Sequence, residues 1–70
     1  MTTFPIHGDY ITLAQAIKAV GLVGSGGEGK QLIRAGQVRV NDAVETQPGR
    51  KLVVGDRVAV AGETEFTIGR

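Results

Sequence analysis

Seventy residues, 7.3 kDa, amount to one domain and exclude a doubly wound nucleotide-binding fold, a (β/α)₈ barrel or a two-domain enzyme. Eight Lys and Arg against seven Asp and Glu leave a net charge of +1, so any basic site must come from local clustering. With no cysteine and one histidine, a disulfide framework, a thiolate metal site and a multi-histidine cluster are excluded, and no cofactor is expected.

Eleven glycines, well above the usual share of ~7%, describe a turn-rich chain. Phe4, Ile6 and His7 form an extended entry that Pro5 confines to a sheet edge. After the Gly8-Asp9 turn, Thr12 and Gln15 read as a capping box. Leu13, Ala16, Ile17 and Val20 then follow at i, i+3, i+4 and i+7. The spacing predicts a helix over about 12–20, stopped by Gly21. Leu22 and Val23 are placed in the core just beyond it. Ser25 caps a second helix, with Glu28 at the capping-box position, Leu32 and Ile33 as apolar contacts and Gly36 as the stop. Lys30 and Arg34, four apart, share one face of it.

From Val38 the period changes to two. Val38-Arg39-Val40 alternates in, out, in, and Asn41-Asp42 is a hairpin turn pair. A two-residue turn puts Val44 on the Arg39 face; a bulge or longer loop returns it to the Val38 and Val40 face, and both registers stay open. Pro48-Gly49 turns, Leu52-Val53-Val54 reads as a short buried run, and Gly55-Asp56 ends it. Val58 and Val60 alternate, Gly62-Glu63 turns, and Phe66 and Ile68 form the last strand. A strand, two helices and then several strands argue an α+β fold.

Gly24-Ser25-Gly26-Gly27-Glu28-Gly29-Lys30 fits G-x-x-x-x-G-K, the opening of a phosphate-binding loop. That chemistry needs a buried strand before the loop and a Ser or Thr hydroxyl for Mg²⁺ after the lysine. Gln31 holds the hydroxyl position and a helix end precedes the loop, so nucleotide hydrolysis is set aside. The glycine-flanked helix start still exposes N–H groups suited to a phosphate, or serves only as a capping turn. His7 is alone and the acids are dispersed over turns and helix starts. No acid/base pair or nucleophile emerges, and no enzyme is expected. Met1 to Gly8 lacks the regions of a signal peptide, and no run approaches the ~20 apolar residues of a membrane span. The expected location is cytoplasmic, with no membrane partner.

The basic residues carry more. Six of the eight, Lys30, Arg34, Arg39, Arg50, Lys51 and Arg57, lie between positions 30 and 57. If helix and strand pack side by side, one patch gathers Lys30, Arg34, Arg39 and the Arg50-Lys51 pair. Such a patch binds phosphates by counterion release; the alternative is an ordinary solvated face. The aromatics are Phe4, Tyr10 and Phe66, and two of them sit in apolar strand patterns. Base stacking is therefore poorly supported, and shape and backbone recognition is the expectation for any nucleic acid.

The middle of the chain resembles the S4 RNA-binding domain, or alpha-L motif. The resemblance rests on Gly21-Leu22, Ser25, the run Leu32-Ile33-Arg34-Ala35-Gly36-Gln37-Val38-Arg39-Val40-Asn41, then Val44, Pro48 and Gly55-Asp56. It covers about residues 11–60 of a single domain spanning 1–70, and the chain looks like the small stand-alone bacterial members of the YbcJ type. Two positions depart: Gly26 stands where most members place an arginine, and Asp42 where the turn is usually glycine. The resemblance implies two short helices packed on a small, mostly antiparallel sheet. It also implies non-catalytic recognition of structured RNA, of the rRNA or tRNA kind, by a basic face of the second helix and following hairpin. Carried over by position, that face comprises Ser25, Lys30, Gln31, Arg34, Arg39 and Asn41, with Arg50 and Lys51 nearby. Ser25 and Asn41 also read as helix cap and turn residue. Ribosome association, with a ribosomal or other protein partner, is compatible with this. The near-neutral charge and Gly26 leave a second reading, a protein-interaction adaptor with an S4-like fold and little RNA affinity.

Overall fold

A computed structural model describes residues 2–61 and 65–70. The elements follow the order β1 (Thr2–Pro5), β2 (Ile11–Thr12), α1 (Leu13–Ala19), α2 (Gly26–Arg34), β3 (Val38–Val40), β4 (Ala43–Val44), β5 (Lys51–Leu52), β6 (Arg57–Val60) and β7 (Glu65–Gly69). The main sheet has the order β1-β7-β6-β3-β4, and β2 pairs with β5 in a separate ladder. All pairings are antiparallel except β1 with β7, so the mixed sheet is mostly antiparallel, as the resemblance implies. β1 forms one edge of the sheet, and Pro5 tolerates that place because no further strand needs its missing N–H. His7 lies past the strand and is exposed.

Both helices start and stop where local chemistry dictates. At α1, Thr12 Oγ1 accepts from Gln15 N at 3.3 Å and Gln15 Oε1 accepts from Thr12 N at 3.2 Å, a complete capping box. At α2, Ser25 Oγ accepts from Glu28 N at 3.3 Å. Each helix ends in a paired closure at a glycine of positive φ. Gly21 N donates to Lys18 O and Leu22 N to Ile17 O; Gly36 N donates to Ile33 O and Gln37 N to Leu32 O. This is the Schellman pattern, which a residue bearing a Cβ adopts only at a cost.

One core joins the layers. Leu13, Ile17 and Ile33 from the helices meet Val38, Val40, Val58, Phe66 and Ile68 from the inner face of the sheet. Leu52, from the small ladder, completes the group, and these side chains are all essentially inaccessible. Each contributes about 1.5–3 kcal/mol by leaving water. Leu22 and Val23 are half-buried against this core, as expected from their place after the helix stop.

The hairpin resolves the open register. Asn41 and Asp42 have φ of 52° and 71°, the two-residue turn that matches strand twist. Arg39 then pairs with Val44 and Val40 with Ala43, so Val44 lies on the Arg39 face, where it is 54% exposed. The run Leu52-Val53-Val54 needs a correction. Only Leu52 is buried; Val53 and Val54 are 49% and 47% exposed. Asp56 Oδ2 accepts from Val53 N at 2.9 Å and Gly55 N donates to Ile68 O, so the chain turns outward straight after Leu52. The turn expected at Gly62-Glu63 lies outside the described residues. Among the described residues, no helix is long and apolar enough to cross a membrane.

Candidate functional site

Two lysines from different helices converge on one surface depression of about 360 Å³. Lys18 comes from the last turn of α1 and Lys30 from the middle of α2. Thr12 and Gln15 line one side and Gly26 another, while Pro48 and Gly49 close the third. The wall at Pro48-Gly49 is fixed by the start of α1. Leu13 N donates to Arg50 O at 2.8 Å and Ala14 N to Pro48 O at 3.1 Å, so the loop satisfies two helix N–H groups that would otherwise lack partners. Gly26 and Gly49 have open space where a Cβ would stand, so an extended backbone can approach the lysines closely there. Arg34 follows Lys30 by one turn on the same helix face.

Among the described residues, Lys18, Lys30, Arg34 and Arg39 form no ion pair, while Arg50 and Arg57 do. Arg50 Nη1 meets Glu45 Oε1 at 2.8 Å, and Arg57 Nη2 meets Asp42 Oδ2 at 2.8 Å. The Arg50 hydrogen bond, followed by that of the Gln47 amide, holds the Glu45 carboxyl below its ordinary range, against the opposing effect of burial. Glu45 Oε2 also accepts from Thr46 N and Gln47 N, so this acid shapes the loop that walls the depression.

The residues read from the sequence as one face separate into several places. Lys30 lies in the depression with Arg34 beside it. Ser25 is exposed at the cap of α2. Gln31 lies in a second hollow with Leu22, Val23 and Leu32. Arg39 projects from the sheet face opposite the core, between Val44 and Ala59, away from the helices. Asn41 is occupied by the turn: its Oδ1 accepts from Arg57 N at 2.9 Å and its Nδ2 donates to Asp56 Oδ1 at 3.1 Å. The Arg50 charge is matched by Glu45. Lys51 lies across the small ladder from Thr12, and its Nζ stands 4.9 Å from the centroid of the Tyr10 ring.

The glycine-flanked start of α2 is already served by its own side chains. Ser25 holds the Glu28 N–H, and the Glu28 carboxylate lies beside Gly24. A negative side chain there complements the helix dipole, so this end is a capping turn. Sequence reasoning missed Lys18 and Tyr10. Lys18 falls outside the 30–57 cluster, and only the packing of α1 on α2 brings it to Lys30. Tyr10 stands two residues before the Thr12 cap, a spacing that gives no sign of its 49% exposure.

The S4 domain family model matches residues 4–68. The "Probable ribosome maturation protein RlbA" of Bacillus subtilis is 38% identical over 63 residues, 90% of this chain and 89% of its own length. The "Putative RNA-binding protein YbcJ" of Escherichia coli is 37% identical over 65 residues, 91% of this chain and 93% of its own. The solution structure of Escherichia coli YbcJ is described as revealing an alfaL motif involved in RNA-binding. It matches with a TM-score of 0.76 at 34% identity, covering 100% of this chain and 89% of that one.

Proposed function

We propose that this chain, which belongs to the S4 domain family, is a non-catalytic cytoplasmic protein that binds structured RNA at the Lys18–Lys30 surface. The convergence on one open depression of these two lysines, which form no ion pair among the described residues, carries the reading. Two phosphates of a folded RNA strand lie along such a surface, and binding releases their counterions. Arg34 and Lys51 extend the contact on either side. Ser25 and Asn41 act through the fold, as cap and turn clamp, and Gln31 and Arg39 belong to other faces. The relatives support the same partner class: YbcJ is named as a putative RNA-binding protein, and RlbA as a probable ribosome maturation protein.

The test is binding of the purified protein to a labelled RNA stem-loop and to a matched DNA duplex across a salt series. Preferred, salt-sensitive binding to the RNA is the expected result. Weak and equal binding to both would leave only a generic charged surface. The adaptor reading draws on the exposed pair Val53 and Val54; a protein partner retained after nuclease treatment would favour it.

A further inference from the structure

We propose that Tyr10 and Lys51 form a seat for an unpaired nucleobase, so that the preferred RNA carries a single-stranded nucleotide beside its helical part. This rests on the RNA-binding reading above and names the RNA feature recognised.

Of the three aromatic residues, Phe66 is buried and Phe4 half-buried, while the Tyr10 ring is 49% exposed. An exposed tyrosine that does not contribute to the core presents an aromatic surface to solvent. The Lys51 ammonium, 4.9 Å from the ring centroid, brings a cation to that surface, and no acid among the described residues pairs with it. With the Lys51 ammonium over one face of the ring, a nucleotide finds stacking on the opposite face and charge for its phosphate at the ammonium. An apolar hollow of about 210 Å³, with Phe4, Ile6 and Ile11 in its wall, opens next to the ring.

Position ties this seat to the lysine depression. Thr12 lines the depression and is also the register partner of Lys51. Directly paired residues on neighbouring strands stand about 4.5–5.5 Å apart. A strand whose phosphates meet Lys18 and Lys30 has Lys51, paired with Thr12 of the depression wall, as a neighbouring cation. A base inside a duplex has both faces covered by its neighbours, so the seat selects a base that is free of the stack.

The chain has one tyrosine and no tryptophan, so its tyrosine emission reports Tyr10 alone. Two probes separate the claims: a blunt RNA duplex, and the same duplex with a short single-stranded extension. Saturation with the extended RNA is expected to quench Tyr10 emission, and the blunt duplex to leave most of it. Tyr10→Ala should weaken binding of the extended RNA by roughly 5- to 150-fold and leave the blunt duplex nearly unaffected. Tyr10→Phe, which keeps the stacking face, should bind close to wild type. Unchanged emission at saturation with the extended RNA overturns the inference, and so does equal affinity of Tyr10→Ala and wild type for it. In that case, loss of binding in a Lys18→Ala/Lys30→Ala variant leaves the RNA-binding reading standing. Failure of wild type to bind either RNA removes both claims. The emission readout uses the unaltered protein, so it does not depend on the folding of any variant.

Discussion

Replacing Lys18 and Lys30 together by alanine removes both lysines of the depression. Both side chains are exposed and lack ion pairs among the described residues, so the fold loses no contact with an acid. Each lost phosphate contact lowers the slope of log affinity against log salt by about 0.7–0.9. Two contacts lower it by about 1.4–1.8. Between 50 and 200 mM salt, a fourfold change, the advantage of wild type over the double variant should therefore shrink by a factor of about 7–12. Fluorescence anisotropy of a labelled RNA stem-loop at several salt concentrations reads both affinity and slope. Arg39→Glu, which removes the same net charge on the outer sheet face, is the control and should change both far less. An unchanged slope in the lysine variant, or an equal loss in the control, would refute the placement of the site and leave only bulk charge.

Three further outcomes follow from the structure. Gly26→Arg, at a position with open space on the depression wall, should tighten RNA binding and raise the salt slope by about 0.7–0.9; an unchanged slope would show that the added cation meets no phosphate. Gly29→Ala should stabilise the protein by about 0.5–1 kcal/mol in urea unfolding. The added methyl would meet Ala14 O and Val23 Cγ2 at 3.6 Å, an ordinary contact distance, and a net loss would show that the two helices need closer approach. The pKa of Glu45 is lowered in the fold from its ordinary 4.5. Its interactions therefore stabilise above the unfolded value and fade as pH falls through the folded one. Unfolding of wild type and Glu45→Gln followed across pH should show a gap that is wide at neutral pH and closes in acid; a constant gap would contradict this.

Local chemistry made much of the fold legible. Thr12 with Gln15, and Gly21 and Gly36 at the helix ends, act through atoms close in sequence, and the structure places them where the spacing predicts. Val38, Val40, Val58 and Val60 fall inward because period two leaves one face for the core. The failures share a cause. Val53 and Val54 are apolar, but hydrogen bonds to Asp56 and Ile68 turn their segment outward, and neither partner is visible from hydropathy. Arg50 and Arg57 read as available cations until the loops fold Glu45 and Asp42 against them. Arg39 and Lys18 stand at similar sequence distances from Lys30, yet Arg39 lies on the outer face of the sheet and Lys18 shares the depression. The family resemblance recovered the fold because its glycines, caps and valines are local signals. The gathering of charges depends on packing between elements, which a list of basic positions does not contain.

Contact of RNA with the surface between the two helices is read residue by residue in the amide chemical shifts of the isotope-labelled protein during titration with an RNA stem-loop. The largest changes are expected at Lys18, Gly26, Lys30 and Gly49, with smaller ones toward Lys51 and little change at Arg39 and Ala59 on the outer sheet face. Changes centred on Arg39 and Ala59, with the helix surface silent, would contradict that contact.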